Sequence, residues 1–268
     1  MRGRPATLLN TAQIEIWPGG LLRARSSRDA RLLARAQWVL RRKRDGRYLA
    51  AILPGGPAAL LPGWREEPGM REALALLDAN QGRRNRTGRT GALPLHRLVE
   101  RLELLGVDAA GYEARTGLPQ VPEPDRLALA GFDRYRRALW LAPGAANGWA
   151  RMRIAAQRDG VALEAISGYR SHDYQLGIFE RKLARGQAVP EILQVNAAPG
   201  YSEHHSGLAL DIGTPGEPPA EETFEQTPAF AWLHENAAAH GFSMSYPRGN
   251  PHGIVYEPWH WCFMPPGA

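Results

Sequence analysis

The 268-residue chain contains a single cysteine, Cys262. That scarcity excludes an internal disulfide framework and any cysteine-based metal cluster; a bound metal would have to be held by His, Asp or Glu. Lysine is almost as rare: of 33 basic side chains, all but Lys43 and Lys182 are arginine. Long apolar runs are missing too. The most apolar stretch, residues 48–61, is interrupted by Pro54-Gly55-Gly56-Pro57 and is too short and broken to cross a bilayer. Residues 1–20 lack a cationic start followed by an unbroken apolar segment. A secretory signal is therefore not expected, and the sequence as written reads as cytoplasmic, with periplasm or cell wall the alternative if another export route or an upstream start exists.

What is present is ordinary globular composition, 44% hydrophobic and 22% charged, enough to bury a core in one or two domains. The charge is distributed unevenly. Residues 1–100 carry a net charge of +11 and the remainder −5, although the whole chain is only +6. A basic half of this kind can attract an anionic polymer or surface. Specific nucleic-acid binding is not expected, since aromatics are not interleaved with the arginines and no recognition motif is present.

The hydrophobic patterning predicts an α+β fold: a small antiparallel sheet with packed helices, preceded by a smaller N-terminal mixed α/β domain. In the N-terminal part, residues 36–40 and 47–53 flank Asp45-Gly46 as a hairpin. Helices are expected over 70–79 and 94–105, with an Arg/Gly/Thr-rich loop over 80–91. Residues 116–124 contain three prolines and read as a linker, placing the domain boundary at 120/121. Beyond it, helices are expected over 147–158, 172–185 and 228–240, with strands over 161–166, 208–212, 242–246 and 254–263.

Two histidine-bearing segments stand out. Ser202-Glu203-His204-His205-Ser206-Gly207-Leu208-Ala209-Leu210-Asp211 places a carboxylate within an apolar strand, where it is costly unless compensated. Tyr256-Glu257-Pro258-Trp259-His260-Trp261 supplies a second histidine and a glutamate three residues before it. His204, Asp211 and His260 together make the three N/O donors that a hydrolytic divalent metal uses, one position being left for water. Glu257 beside that position would shuttle a proton as general base. His205 and Cys262 are further donors, but a facing-away histidine and a buried spectator thiol are the expected readings. Trp259 and Trp261 are expected to pack around His260, and Tyr246 to border a substrate groove or to pack.

Ser202-x-His204-x-x-Gly207-x-Ala209-x-Asp211 followed by Glu257-Pro258-Trp259-His260 resembles the paired signatures of VanY-type zinc D-alanyl-D-alanine carboxypeptidases, peptidase family M15 subfamily B, which includes related L,D-carboxypeptidases. Ser167-Gly168-Tyr169-Arg170-Ser171 with Gln175 is similar to that family's substrate-binding segment, and the likeness covers about residues 123–264. The resemblance implies zinc on His204, Asp211 and His260, Glu257 as general base, and substrate contacts from Arg170, Gln175 and Ser202. Arginine's planar fork suits either the free carboxylate of an exopeptidase substrate or a developing oxyanion. The sequence departs from the family at Cys262-Phe263, where Arg-Tyr is common, and at His172, where an aromatic is frequent. The implied substrate is a peptidoglycan stem peptide or precursor. A wall-cleaving endopeptidase on the same scaffold, or a non-catalytic polyanion-binding protein with a structural metal, are the alternatives.

Overall fold

The computed structural model describes residues 6–82 and 91–264. The chain opens with strands β1 (Thr7–Asn10) and β2 (Ile14–Pro18), helix α1 (Ser27–Leu33), and strands β3 (Trp38–Arg42), β4 (Tyr48–Leu53) and β5 (Gly56–Ala59). Helices α2 (Met70–Gly82), α3 (Leu98–Glu103) and α4 (Ala109–Thr116) follow, then β6 (Arg126–Phe132) and β7 (Ala138–Leu141). Helix α5 (Pro143–Arg158), strand β8 (Glu164–Ser167), and helices α6 (His172–Leu183) and α7 (Val189–Val195) lead to β9 (Ala209–Gly213). Helix α8 (Pro228–Asn236) and strands β10 (Phe242–Met244) and β11 (His260–Phe263) complete the fold. No helix among the described residues is long and apolar enough to cross a membrane.

The strands form two antiparallel sheets, in the orders β5-β4-β3-β2-β1-β6-β7 and β10-β11-β9-β8. The architecture is α+β, as the patterning implies. The β3/β4 hairpin turns where expected: Gly46 takes φ +69° and donates its N–H to Arg42 O at 2.9 Å. Apolar residues of β1–β4 and of α2, among them Ile14, Ile16, Leu40, Leu49, Met70, Ala73 and Leu77, bury against each other on one face. The second sheet packs on α5 and α8 through Trp149, Met152, Leu210, Ile212, Leu233 and Trp261.

Several element boundaries differ from the sequence reading, each for a local reason. Helix α3 begins only at Leu98 rather than at 94, because Arg97 at its start is left-handed (φ 53°). The last strand is confined to Val-free His260–Phe263 instead of starting at 254; Pro258 lies in the preceding turn and cannot donate to a ladder. Helix α5 starts four residues earlier than expected, at Pro143, whose fixed φ and missing N–H suit a first helical turn. Strand β8 runs 164–167 and β10 ends at 244. The Arg/Gly/Thr loop predicted over 80–91 lies largely outside the described residues.

The sheet continues across the position where the sequence changes character. Strand β1 pairs with β6, Leu8 opposite Leu127, so residues on both sides of 120 share one hydrogen-bonded layer. Nor is 116–124 a solvated tether: Leu118 and Glu123 are buried, and Glu123 is ion-paired to Lys43. Prolines there suppress helix, as predicted, but their segment is held by packing on both sides. Leu118 joins α3, α4, Tyr201, Tyr246 and Ile254 in a further core cluster.

Candidate metal centre

The two sequence segments meet because strands β9 and β11 are antiparallel neighbours in a register that sets Asp211 directly opposite His260. Side chains opposite one another in such a pair are natural contacts. Here His260 Nδ1 lies 3.1 Å from Asp211 Oδ1. The third residue comes from the 3-10 turn Glu203–Ser206, which ends at Gly207 with φ 70° just before β9. His204 Nε2 approaches Asp211 Oδ1 to 3.2 Å but makes no hydrogen bond there, so this buried nitrogen is left without a hydrogen-bond partner among the described residues. Donor atoms of His204, Asp211 and His260 all lie within 4.8 Å of one another. Orphaned buried nitrogens are rare in folded proteins, and one pointing into a group of three N/O donors is what a divalent cation would satisfy.

Outer contacts fix each ring. His204 Nδ1 donates to Gly168 O at 2.7 Å, which leaves Nε2 as the lone-pair nitrogen facing Asp211. His260 Nε2 meets Glu203 Oε2 at 2.8 Å, leaving Nδ1 toward the centre. A backbone carbonyl and a carboxylate behind the two imidazoles are the usual means of orienting histidine ligands. Glu203 is absent from the sequence reading; its only signal there is a carboxylate abutting a ligand histidine. His205, by contrast, uses both ring nitrogens structurally. Nδ1 donates to Arg170 O at 2.7 Å and Nε2 accepts from Gly200 N at 3.0 Å, so it faces away from the donor group. Cys262 is buried, and burial pushes its thiol well above the ordinary range, which keeps it a protonated spectator.

Arg170, Gln175, Ser202, His204, Tyr246, Glu257 and His260 line one pit of about 30 Å³. Asp211 lies behind it, in contact with both histidines. The residues expected to hold metal, move the proton or contact substrate are therefore brought together, while His205 and Cys262 stand apart. Arg170 Nη2 reaches Asp211 Oδ2 at 3.1 Å, while its Nε has no hydrogen-bond partner among the described residues. Buried Gln175 donates to Ala197 O at 2.9 Å, and its Oε1 is also unpaired among the described residues. Both residues line the pit. Tyr246 packs on His260 with ring centroids 4.8 Å apart, and burial raises its phenol pKa. Trp261 is in the core, its Nε1 donating to Pro258 O at 3.0 Å, which ties the turn carrying Glu257 to the strand carrying His260.

The electrostatics divide the acids and bases into distinct roles. Burial drives His204 down to about 4, with Arg170 adding to the effect, so it is neutral and able to ligate. Burial also opposes charge on His260, but hydrogen bonds to Asp211 and Glu203 prevail and raise it to about 10. Asp211 is held well below the carboxylate range against its burial by the flanking histidines and Arg170. Glu257, buried 3.9 Å from His260 Nδ1, is pushed up to about 7 chiefly by desolvation, with Asp211 reinforcing and His260 opposing. A strongly ionised acid beside one poised near neutrality is the pattern expected where one carboxylate holds charge and the other moves a proton.

Gly207 is required by the turn that presents His204. A Cβ there would come within 2.5 Å of Leu127 Cδ2 and 2.9 Å of Ala142 N, at a φ that side chains rarely adopt. Gly207→Ala is expected to destabilise the protein by about 2 kcal/mol or more, seen as a melting temperature several degrees lower. An unchanged melting temperature would show that the turn relaxes without cost.

Three converging N/O donors, with a carboxylate of raised pKa nearby, are an arrangement that metal-dependent hydrolases also use. Comparison with known proteins gives this class a family. Residues 138–266 match the VanY family, described as D-alanyl-D-alanine carboxypeptidase. YodJ of Bacillus subtilis is 34% identical over 152 residues, 53% of this chain and 55% of that protein. VanXYC of Enterococcus gallinarum, a bifunctional D-Ala-D-Ala dipeptidase and carboxypeptidase, is 30% identical over 149 residues, 53% of this chain and 75% of that protein. Among solved structures, a VanY D,D-pentapeptidase variant in complex with Zn(II) shares 30% identity, with a TM-score of 0.41 over 47% of this chain and 73% of that one. The chain belongs to the VanY family. It spans about half the length of the first curated relatives it matches.

Proposed function

We propose that this chain is a zinc carboxypeptidase that removes a terminal D-alanine from peptidoglycan stem peptides or their precursors, by D,D- or L,D-cleavage. The observation that carries this reading is the convergence of the unpaired His204 nitrogen, Asp211, His260, Glu257 and Arg170 on one small buried pit. Residues 121–268 carry the chemistry in this proposal, and residues 1–120 form an accessory unit that shares a sheet with them. Zinc suits a His/Asp/His set, and the family relationship points to the same ion.

His204 Nε2, Asp211 and His260 Nδ1 would hold the ion. When bound, it supplies Lewis acidity that polarises the scissile carbonyl and makes a water molecule acidic at neutral pH. Glu257 takes the proton from the attacking water and delivers it to the leaving amine. Arg170, with an unpaired Nε, binds the substrate's terminal carboxylate or the developing oxyanion, and Gln175 Oε1 and Ser202 offer hydrogen bonds to the peptide. Tyr246 walls the groove.

The charge state of His260 couples the metal to pH. Without metal its raised pKa, about 10, keeps the ring protonated at neutral pH, and Nδ1 must lose its proton to ligate. Zinc affinity, measured by chelator competition, is therefore expected to rise about tenfold per pH unit from pH 6 to 8 for each proton released. A flat profile would contradict this charge state.

Product mass spectrometry on pentapeptide, tetrapeptide and intact cross-linked wall tests the function. Loss of one D-alanine from a free stem supports the carboxypeptidase reading, and the preferred stem distinguishes D,D- from L,D-cleavage. Release of cross-links alone would replace it with an endopeptidase. A polyanion-binding role has less to stand on, since Arg41, Arg42 and Lys43 are engaged by Glu15, by Asp45 and Glu67, and by Glu123.

A further inference from the structure

We propose that Lys43, on the loop after β3, is a positioning residue for Arg170 and acts through Glu123, so that the N-terminal part of the chain helps to build the substrate site. The inference rests on the carboxypeptidase reading above. Its starting point is an unusual burial: the Lys43 side chain is entirely inaccessible to solvent. A buried ammonium is tolerated only when paired and fully hydrogen-bonded. Lys43 Nζ donates to Thr11 O and to Glu123 Oε2, each at 2.5 Å.

Glu123 passes this constraint to the substrate loop. Its Oε2 accepts from the Tyr169 hydroxyl, and its Oε1 accepts from the His172 backbone N–H at 2.9 Å. Asn10 Nδ2 holds the same hydroxyl oxygen at 2.9 Å. Residues 169 and 172 bracket Arg170, so the two oxygens of one carboxylate grip the loop on either side of the arginine. On its other side the loop is fixed to the metal-bearing turn: Arg170 N donates to His204 O at 3.2 Å, and His205 donates to Arg170 O. Arg170 is thus suspended between the candidate ligand turn and a carboxylate whose counter-ion comes from a part of the chain outside the family match.

Removing the ammonium leaves the buried Glu123 carboxylate with neutral donors only and no lysine counter-ion. The carboxylate then takes up a proton or draws in water, and its hold on Tyr169 and His172 is lost. Glu123 is fully ionised while Lys43 is present, since that partner, with His172, keeps it down at about 2 against the effect of burial.

The test is a kinetic cycle on the full chain loaded with zinc, using a pentapeptide substrate. Lys43→Met is expected to lower kcat/KM at least tenfold, with zinc content unchanged. In an Arg170→Lys background, where the fork is already lost, the same change is expected to cost less than threefold. A purely structural lysine would lower both backgrounds equally, and that result would overturn the proposal. Tyr169→Phe removes one hydroxyl and leaves the salt bridge, which guards against a variant that merely folds poorly. It is expected to raise KM severalfold with the melting temperature near that of the parent; an unchanged KM would count against the proposal. If the parent protein releases no D-alanine, the carboxypeptidase reading and the proposal fall together. If the parent is active and Lys43→Met matches it, the proposal alone falls.

Discussion

Glu257→Gln is expected to lower kcat by between about 10² and 10⁴-fold while leaving zinc content and KM almost unchanged. Gln keeps the shape of the side chain and cannot accept the proton. Because Glu257 touches the site from the turn before β11 and is not among the three converging donors, the metal should remain. The pH profile provides a second signature. Burial raises Glu257 to about 7 in the metal-free site, and a bound cation pulls it lower by favouring the ionised form. Only the ionised form accepts a proton, so kcat/KM of the parent should fall as pH drops through that value. Residual activity of the variant should lack this acid limb. Activity within tenfold of the parent, or loss of zinc from the variant, would remove Glu257 from its role.

Asp211→Asn should have the largest effect on metal retention. Asp211 faces His260 Nδ1 at 3.1 Å, His204 Nε2 at 3.2 Å and Arg170 Nη2 at 3.1 Å, the acid and both histidines being buried and the arginine half-buried. An amide preserves the shape and removes the one negative charge that these groups share. The variant is expected to lose zinc on dialysis and, with it, activity. The metal-free variant is also expected to lose about 3 kcal/mol of stability, because Arg170 loses its carboxylate partner and protonated His260 keeps only Glu203. The direction with pH follows from the depressed carboxylate. Its contribution is complete above the ordinary Asp range and is lost as pH falls toward its folded value. The parent should therefore destabilise on acidification more steeply than the variant. Stoichiometric zinc in dialysed Asp211→Asn, or parallel acid profiles, would show that Asp211 is not the shared counter-charge.

The candidate site was legible in the sequence because its proposed chemistry is confined to short strings. A carboxylate in the run Leu208-Ala209-Leu210-Asp211-Ile212 signals its own need for a cation, and Glu257 and His260 are three residues apart. The pairing of Asp211 with His260 was not legible, since register across a 49-residue separation is set by packing. The pairing of β1 with β6 was missed for the same reason, its partners lying more than a hundred residues apart; β2 and β7, short strands beside β1 and β6, went unread with them. Glu123 was hidden by its surroundings, being one polar residue among prolines that read as a tether. Its partner left a clue in the composition. In a chain that uses arginine almost everywhere, Lys43 is one of two exceptions, and a compact ammonium fits a buried pocket that a guanidinium fork does not.

The pairing of β1 with β6 has a consequence for how this protein can be divided. A fragment beginning at residue 121 would retain β6 and β7 as a two-stranded ribbon, and the whole length of β6 that now bonds to β1 would become an open edge. Leu127, buried against Leu8, would be uncovered with it. Unprotected edges of that kind recruit other chains. Strand β1 thus covers an edge that such a fragment would offer to other chains.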